Sequence, residues 1–250
     1  MLIENLKGNF KFIQGRVPFS LGAVADAGYE VVHVTFSPLP ALAAGFDRVE
    51  NHLRSLGRPL NALCGMELRI PKPLSYQGFV EFNQGYIEKL ISWKVHVGDL
   101  NPIARTNVAI EVEPVPWPSV YGFSYTVPSR HQQATFVLSG VPELKPGGGG
   151  EREVVAPGDI TLTGMHQKVD RVLASVTALL QQIQATWADP TTIEIYTVHD
   201  FHPLLETAVL RKITSANRHG IRWHYARPPV MDSEFEMDVR RVFQELILPG

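Results

Sequence analysis

The chain has 250 residues, of which 44% are apolar, and its Lys+Arg 23 against Asp+Glu 25 give a formal charge of −2. There is no basic excess for general nucleic-acid binding, no apolar run near the ~18 residues that span a bilayer, and a lone Cys64 that cannot form an intrachain disulfide. The start, MLIENLKGNFKF, lacks the apolar core of a signal peptide, so a reducing cytoplasm is the expected location.

The first clear element is the β-branched and aromatic segment 31–36, a strand. Phe46, Val49, Leu53 and Leu56 then share one helix face, with Gly57 as its C-terminal stop. Segment 63–69 (LCGMELR) reads as a strand, and Phe79, Phe82, Tyr86 and Leu90 as a second helical stripe. Segments 107–113 and 120–126 are two further strands. The order β, α, β, α, β, β then recurs. Strand 134–138 precedes a Gly147–Gly150 run read as a mobile connection. A long helix follows, marked by Val169, Val172, Val176, Leu179 and Ile183. Next come strand 192–198, a helix carrying Leu205, Ala208, Val209 and Ile213, and strand 221–225. The last strand is 234–239 (EFEMDV), and Phe243, Leu246 and Ile247 close the chain as a short helix or tail. The length admits one large domain or two. The repeated order favours two, at 1–128 and 129–250.

Few residues stand out for chemistry. Arg105 lies at a strand start, where an arginine is ordinarily a surface charge; functionally, its guanidinium fork suits a carboxylate. Arg218 and Arg222 offer the same chemistry in the second half, and Arg218 stands eleven residues before Pro229, as Arg105 does before Pro116. Glu234, Glu236 and Asp238 alternate on one side of the last strand. Such a row is ordinarily a solvated face, yet a carboxylate in a closed site can serve as a general acid or base. Ser139–Gly140 leaves a strand without a G-x-S-x-G elbow, so a hydrolase triad has no support. Cys64 reads as a small core residue. His199 and His202 have a spacing that could reach one metal ion, but no second ligand group stands at recognisable spacing; capping and surface roles are simpler. No cofactor motif is present, since the glycine run lacks the Lys-Ser/Thr of a phosphate loop.

Several segments in order resemble the RidA/YjgF family. RVPFSLGAV is similar to its "P-Y-S-x-A-V" opening, with Phe19 where tyrosine is usual. Asn83 and Tyr86 match a helix of "F-x-x-x-N-x-x-Y" type, and Ala104, Arg105, Thr106 and Val108 match its "P-A-R-T-x-V-x-V" strand. ATFVLSGVPEL resembles the "S-G" strand exit, and EFEMDV the closing "E-I-E-x-x-A" strand. Each half is about one family subunit long. The resemblance implies an α+β fold of two fused chorismate-mutase-like (RidA-type) β-α-β-α-β-β domains, assembled as a trimer-based homo-oligomer with clefts at domain interfaces. It also implies an enamine/imine deaminase of the 2-aminomuconate type, acting on a small carboxylate substrate without a cofactor. Arg105 would hold the carboxylate, with Arg218 or Arg222 as the second-half anchor, and Asn83 and Phe19 beside the substrate. Ser139 would line the cleft, and Glu236 or Glu234 would activate water. The first half lacks the "S-G" exit and the last-strand glutamate, so a composite cleft is expected, in which Arg105 meets Ser139 and a glutamate of the other half. The alternatives are a non-catalytic binding protein on the same scaffold and a chorismatase-like enol-ether hydrolase.

Overall fold

A computed structural model describes residues 2–145 and 153–249. The Gly147–Gly150 run falls outside them. Strands β1 (Leu2–Asn5), β2 (Phe10–Ile13), β3 (Gly22–Ala25) and β4 (Tyr29–Ser37) come first. They are followed by α1 (Leu42–Ser55), β5 (Leu63–Ile70), α2 (Tyr76–Ser92), β6 (Ala104–Ile110) and β7 (Ser119–Pro128). The second half has β8 (Phe136–Leu138), β9 (Val141–Pro142), α3 (Leu162–Gln182) and β10 (Thr192–Tyr196). A helical run of His202–Leu204, a π-helical turn Leu205–Leu210 and Arg211–Ile213 comes next. Strands β11 (Arg222–His224), β12 (Ala226–Arg227), β13 (Glu236–Arg241) and β14 (Gln244–Pro249) complete it.

The helices form where the sequence places apolar residues on one face. Phe46, Val49 and Leu53 are the buried side of α1, and Gly57 stops it with φ +65°. Ser75 caps α2 by accepting from the Gly78 N–H at 3.1 Å, and Thr161 caps α3 by accepting from the Gly164 N–H at 3.3 Å. Helix α3 buries Met165, Val169, Val172, Leu173 and Val176 on Ile193, Ile195, Met237 and Val239. Full burial of each such side chain contributes about 1.5–3 kcal/mol.

Two mixed sheets result, in the strand orders β1-β2-β3-β8-β13-β10-β11 and β12-β6-β5-β7-β4-β14. Within them the two halves have the same wiring. In the first, β6 lies parallel to β5, β5 antiparallel to β7, and β7 antiparallel to β4. In the second, β11 lies parallel to β10, β10 antiparallel to β13, and β13 antiparallel to β8. The halves also trade strands. β3 joins the edge of β8, β14 runs parallel to β4, and β12 pairs with β6.

The sheets face each other, with helices outside. Phe10, Phe12, Val31, Cys64 and Val137 fill part of the space between them. The rest is charged. Arg240 reaches Glu194 at 3.0 Å and Glu67 at 3.6 Å, Asp238 accepts from Thr106 at 2.7 Å and from the Tyr196 hydroxyl at 2.9 Å, and the Arg69 guanidinium stacks on Tyr121 at 3.8 Å. Burial, together with the neighbouring Glu194 charge, pushes the carboxyls of Glu67 and Asp238 up to about 7. Burial and Arg240 hold His33 well below the usual imidazole value. A raised acid gives stability that is present when it is protonated and lost as pH rises through the folded value. Glu67→Gln is therefore expected to gain stability relative to the wild type between pH 5 and pH 8. Urea unfolding at both pH values checks this, and a difference that stays flat would refute it.

The structure departs from the sequence reading in several places, among them the last strand, which begins at Glu236 and leaves Glu234 outside it. The three N-terminal strands have no counterpart in it, because each is four residues long, too short to show a period. β6 begins three residues earlier than expected, which puts Arg105 inside the strand. The closing segment is strand β14, because the edge of β4 is open to a parallel partner. Finally, Glu236 and Asp238 are buried, because the opposite sheet covers the face that looked solvated.

Candidate active site

The starts of β6 and β13 and the exit of β8 converge at one end of the sheets. Ser139 ties this junction together. Its Oγ accepts from the Arg105 backbone N–H at 2.9 Å and donates to the Ser20 carbonyl at 2.6 Å, and the Gly140 N–H donates to the Arg105 carbonyl at 3.2 Å. The only proton on that hydroxyl is committed to Ser20. Ser139 thus fixes the Arg105 backbone and is not placed to act as a nucleophile.

Arg105 points to the helix side of β6, at 3% exposure. Its guanidinium lies 4.7 Å from the Phe19 ring, 4.8 Å from Tyr86 and 5.5 Å from Phe79. The three aromatic faces favour the cation and fix its plane. Burial and the nearby Arg105 act in opposite directions on the Tyr86 hydroxyl; burial dominates, and the phenol stays neutral.

Opposite lies Glu236, at 2% exposure. A Cβ at position 140 would overlap its carboxylate, so glycine leaves the Glu236 side chain its place at the β8 exit. Asn107, two residues beyond Arg105 on the same face of β6, is also buried, and both its amide atoms have no hydrogen-bond partner among the described residues. Arg105, Asn107 and Glu236 line one cavity of about 340 Å³, together with Phe19, Phe79 and Gly140. That volume suits a small metabolite. The arrangement combines a fixed cation for a carboxylate, a free amide, and a carboxylate within a largely apolar wall.

Glu143 positions the start of β13. It is fully buried, accepts from the Glu234 and Phe235 N–H groups, and pairs with the buried Lys168 at 3.5 Å. Burial raises its carboxyl above the usual range. Nothing local in the sequence marks this pair, which is 25 residues apart.

The remaining residues singled out earlier lie outside the cavity lining. Glu234 precedes β13 and is held by His199 at 2.6 Å and Arg227 at 3.3 Å. Arg218 is exposed on the 3-10 turn Thr214–His219. Arg222 bridges Glu245 at 3.0 Å and Glu194 at 3.4 Å at the open edge of β11. Asn83 is buried on α2 between Phe79 and Tyr86. His202 pairs with Asp200, so it does not join His199 at one centre. Cys64 is buried, which pushes its thiol up. In the sequence, Asn107 is marked only by its i+2 spacing from Arg105, which puts both on one face of β6.

The sequence model of the family described as 2-aminomuconate deaminase CnbZ matches residues 2–246. A 2-amino-5-chloromuconate deaminase of Comamonas testosteroni is 35% identical over 244 residues, covering 96% of either chain. The crystal structure of a chorismatase superposes with a TM-score of 0.50 at 14% identity, over 89% of this chain and 77% of that one, a likeness of fold. No helix among the described residues is long and apolar enough to cross a membrane.

Proposed function

Because the chain belongs to the 2-aminomuconate deaminase CnbZ family, we propose that it hydrolyses a 2-aminomuconate to the 2-oxo acid and ammonia in the cavity between Arg105 and Glu236. The observation that carries this reading is the composite site, with an aromatic-walled arginine from the first half and a buried glutamate from the second on one cavity.

In the proposed reaction Arg105 takes the carboxylate next to the amino-bearing carbon in a two-pronged contact. The enamine takes a proton from solvent on carbon and becomes the iminium. Water adds to the C=N carbon while Glu236 accepts a water proton, and the tetrahedral carbinolamine results. Glu236 returns its proton to the nitrogen, the C–N bond breaks, ammonia leaves, and the hydroxyl gives its proton to water as the carbonyl forms. Asn107 supplies an amide for the amino group or the new oxygen. A general base in such a step contributes about 10²–10⁴-fold.

The same wiring of the two halves supports a further part of the reading, that the chain is a fused pair of RidA-type units, 1–128 and 129–250, which exchange edge strands. A trimer-based homo-oligomer goes with it, and light scattering of the purified protein would reveal a different state.

The direct test is ammonia release from 2-aminomuconate. Wild-type turnover is expected, and Arg105→Met is expected to raise KM at least about 10-fold through loss of a charged pair. No ammonia from the wild type, or full efficiency in Arg105→Met, would reject the assignment. Pyruvate formed from chorismate, without ammonia, would favour the enol-ether reading.

A further inference from the structure

Among the described residues, the cavity is lined by four cations, Arg16, Arg105, Lys145 and Arg171, against the single acid Glu236. This imbalance sits in a chain whose formal charge is −2. One carboxylate on the substrate accounts for Arg105. Of the other three, one that is fixed in the wall and not already paired would suit a second negative group.

The three are not equivalent. Lys145 is exposed and paired with Glu153 at 3.2 Å. Arg16 stands on an exposed turn. Arg171 is half-buried on α3, a helix of 21 residues. Its Nε donates to the Leu144 carbonyl at 2.6 Å, which fixes the guanidinium plane, and it makes no ion pair among the described residues. Ser175, Ala178 and Leu179 continue the same helix face along the cavity wall. The cation is therefore held in place before any ligand arrives, and it faces the cavity with no acid paired to it among the described residues.

We propose that Arg171 is the anchor for the second carboxylate of a dianionic substrate whose first carboxylate is held by Arg105. This rests on the deaminase reading for the orientation of the substrate, and it assigns specificity for diacids to α3. Leu21, Val141, Pro142 and Leu144 form an apolar wall suited to an unsaturated carbon chain.

The test compares binding of two unreactive probes by calorimetry: hexa-2,4-dienedioate, and hexa-2,4-dienoate, in which a methyl group replaces one carboxylate. The wild type is expected to prefer the diacid about 10- to 100-fold, the size of one charge-assisted pair. Arg171→Met is expected to abolish that preference while leaving monoacid affinity unchanged. Arg171→Gln keeps a donor for Leu144 and is expected to behave the same way, which covers the case of a poorly folded methionine variant. Arg105→Met is expected to weaken both probes. Equal affinity of the wild type for the two probes, or a preference that survives in the Arg171 variants, overturns the assignment. Ammonia release by the wild type is scored separately. An Arg171-dependent preference without ammonia would leave the diacid site standing and remove the deaminase reading; ammonia with no preference would do the reverse.

Discussion

Glu236→Gln is expected to lower kcat for ammonia release about 10²–10⁴-fold, with the thermal midpoint close to that of the wild type. The amide is nearly the same size as the carboxylate, so the close approach of Gly140 is kept. What is lost is the capacity to accept a proton from water. If Glu236 acts on the reaction step, KM for the substrate changes little, and the falling-acid limb of the pH–rate profile disappears. A merely structural role would move the midpoint and KM together and leave the profile's shape unchanged. Full turnover in Glu236→Gln would remove the general base from the proposal. Glu234→Gln serves as the comparison: that side chain pairs with His199 and Arg227 outside the cavity lining, so most of the activity is expected to remain.

The second large effect is on stability. Arg240→Leu is expected to cost about 3–5 kcal/mol at pH 8, the usual consequence of removing one partner from a buried ionic cluster. Arg240 is the cation shared by Glu194, Glu245 and Glu67, at 3.0, 3.0 and 3.6 Å, and it lies between the sheets. Against the effect of burial, Glu194, Glu67 and Asp238 hold its guanidinium above the usual range. Without it, Glu67 and Asp238 face Glu194 with less compensation, and their protonated forms are favoured further. A raised acid stabilises below its folded value and loses that contribution as pH rises. The cost is thus expected to be smaller at pH 5.5 than at pH 8. Urea unfolding at both values measures it. A loss below 1 kcal/mol at pH 8 would show that the cluster does not lock the sheets together.

Much of the fold can be read along the chain. The stripe Phe46–Val49–Leu53 and the stop at Gly57 define α1, and the long stripe from Val169 to Leu179 defines α3. These are local signals, since a helix needs only its own apolar face and caps. Arg105, and a glutamate at either 234 or 236, stand out in the sequence through the family resemblance. Other features were not. β1, β2 and β3 are too short to carry a period, and they exist because the edge of β8 accepts them. Ser139 looked like a cleft residue, whereas its hydroxyl is consumed in joining Ser20 to Arg105.

The chain's own pattern thus set the helices, the long strands and the doubled β-α-β-α-β-β order. Each of these depends on neighbours within a few residues. Which glutamate faces the cavity, that Asn107 and Arg171 join it, and that Asp238 and Arg240 are buried depended on how the sheets stack. Alternation along a strand gives two faces but does not say which is covered. Here both are covered, one by helices and one by the opposite sheet, and that second cover turns a row of acids into a charged interior with one carboxylate left at the cavity.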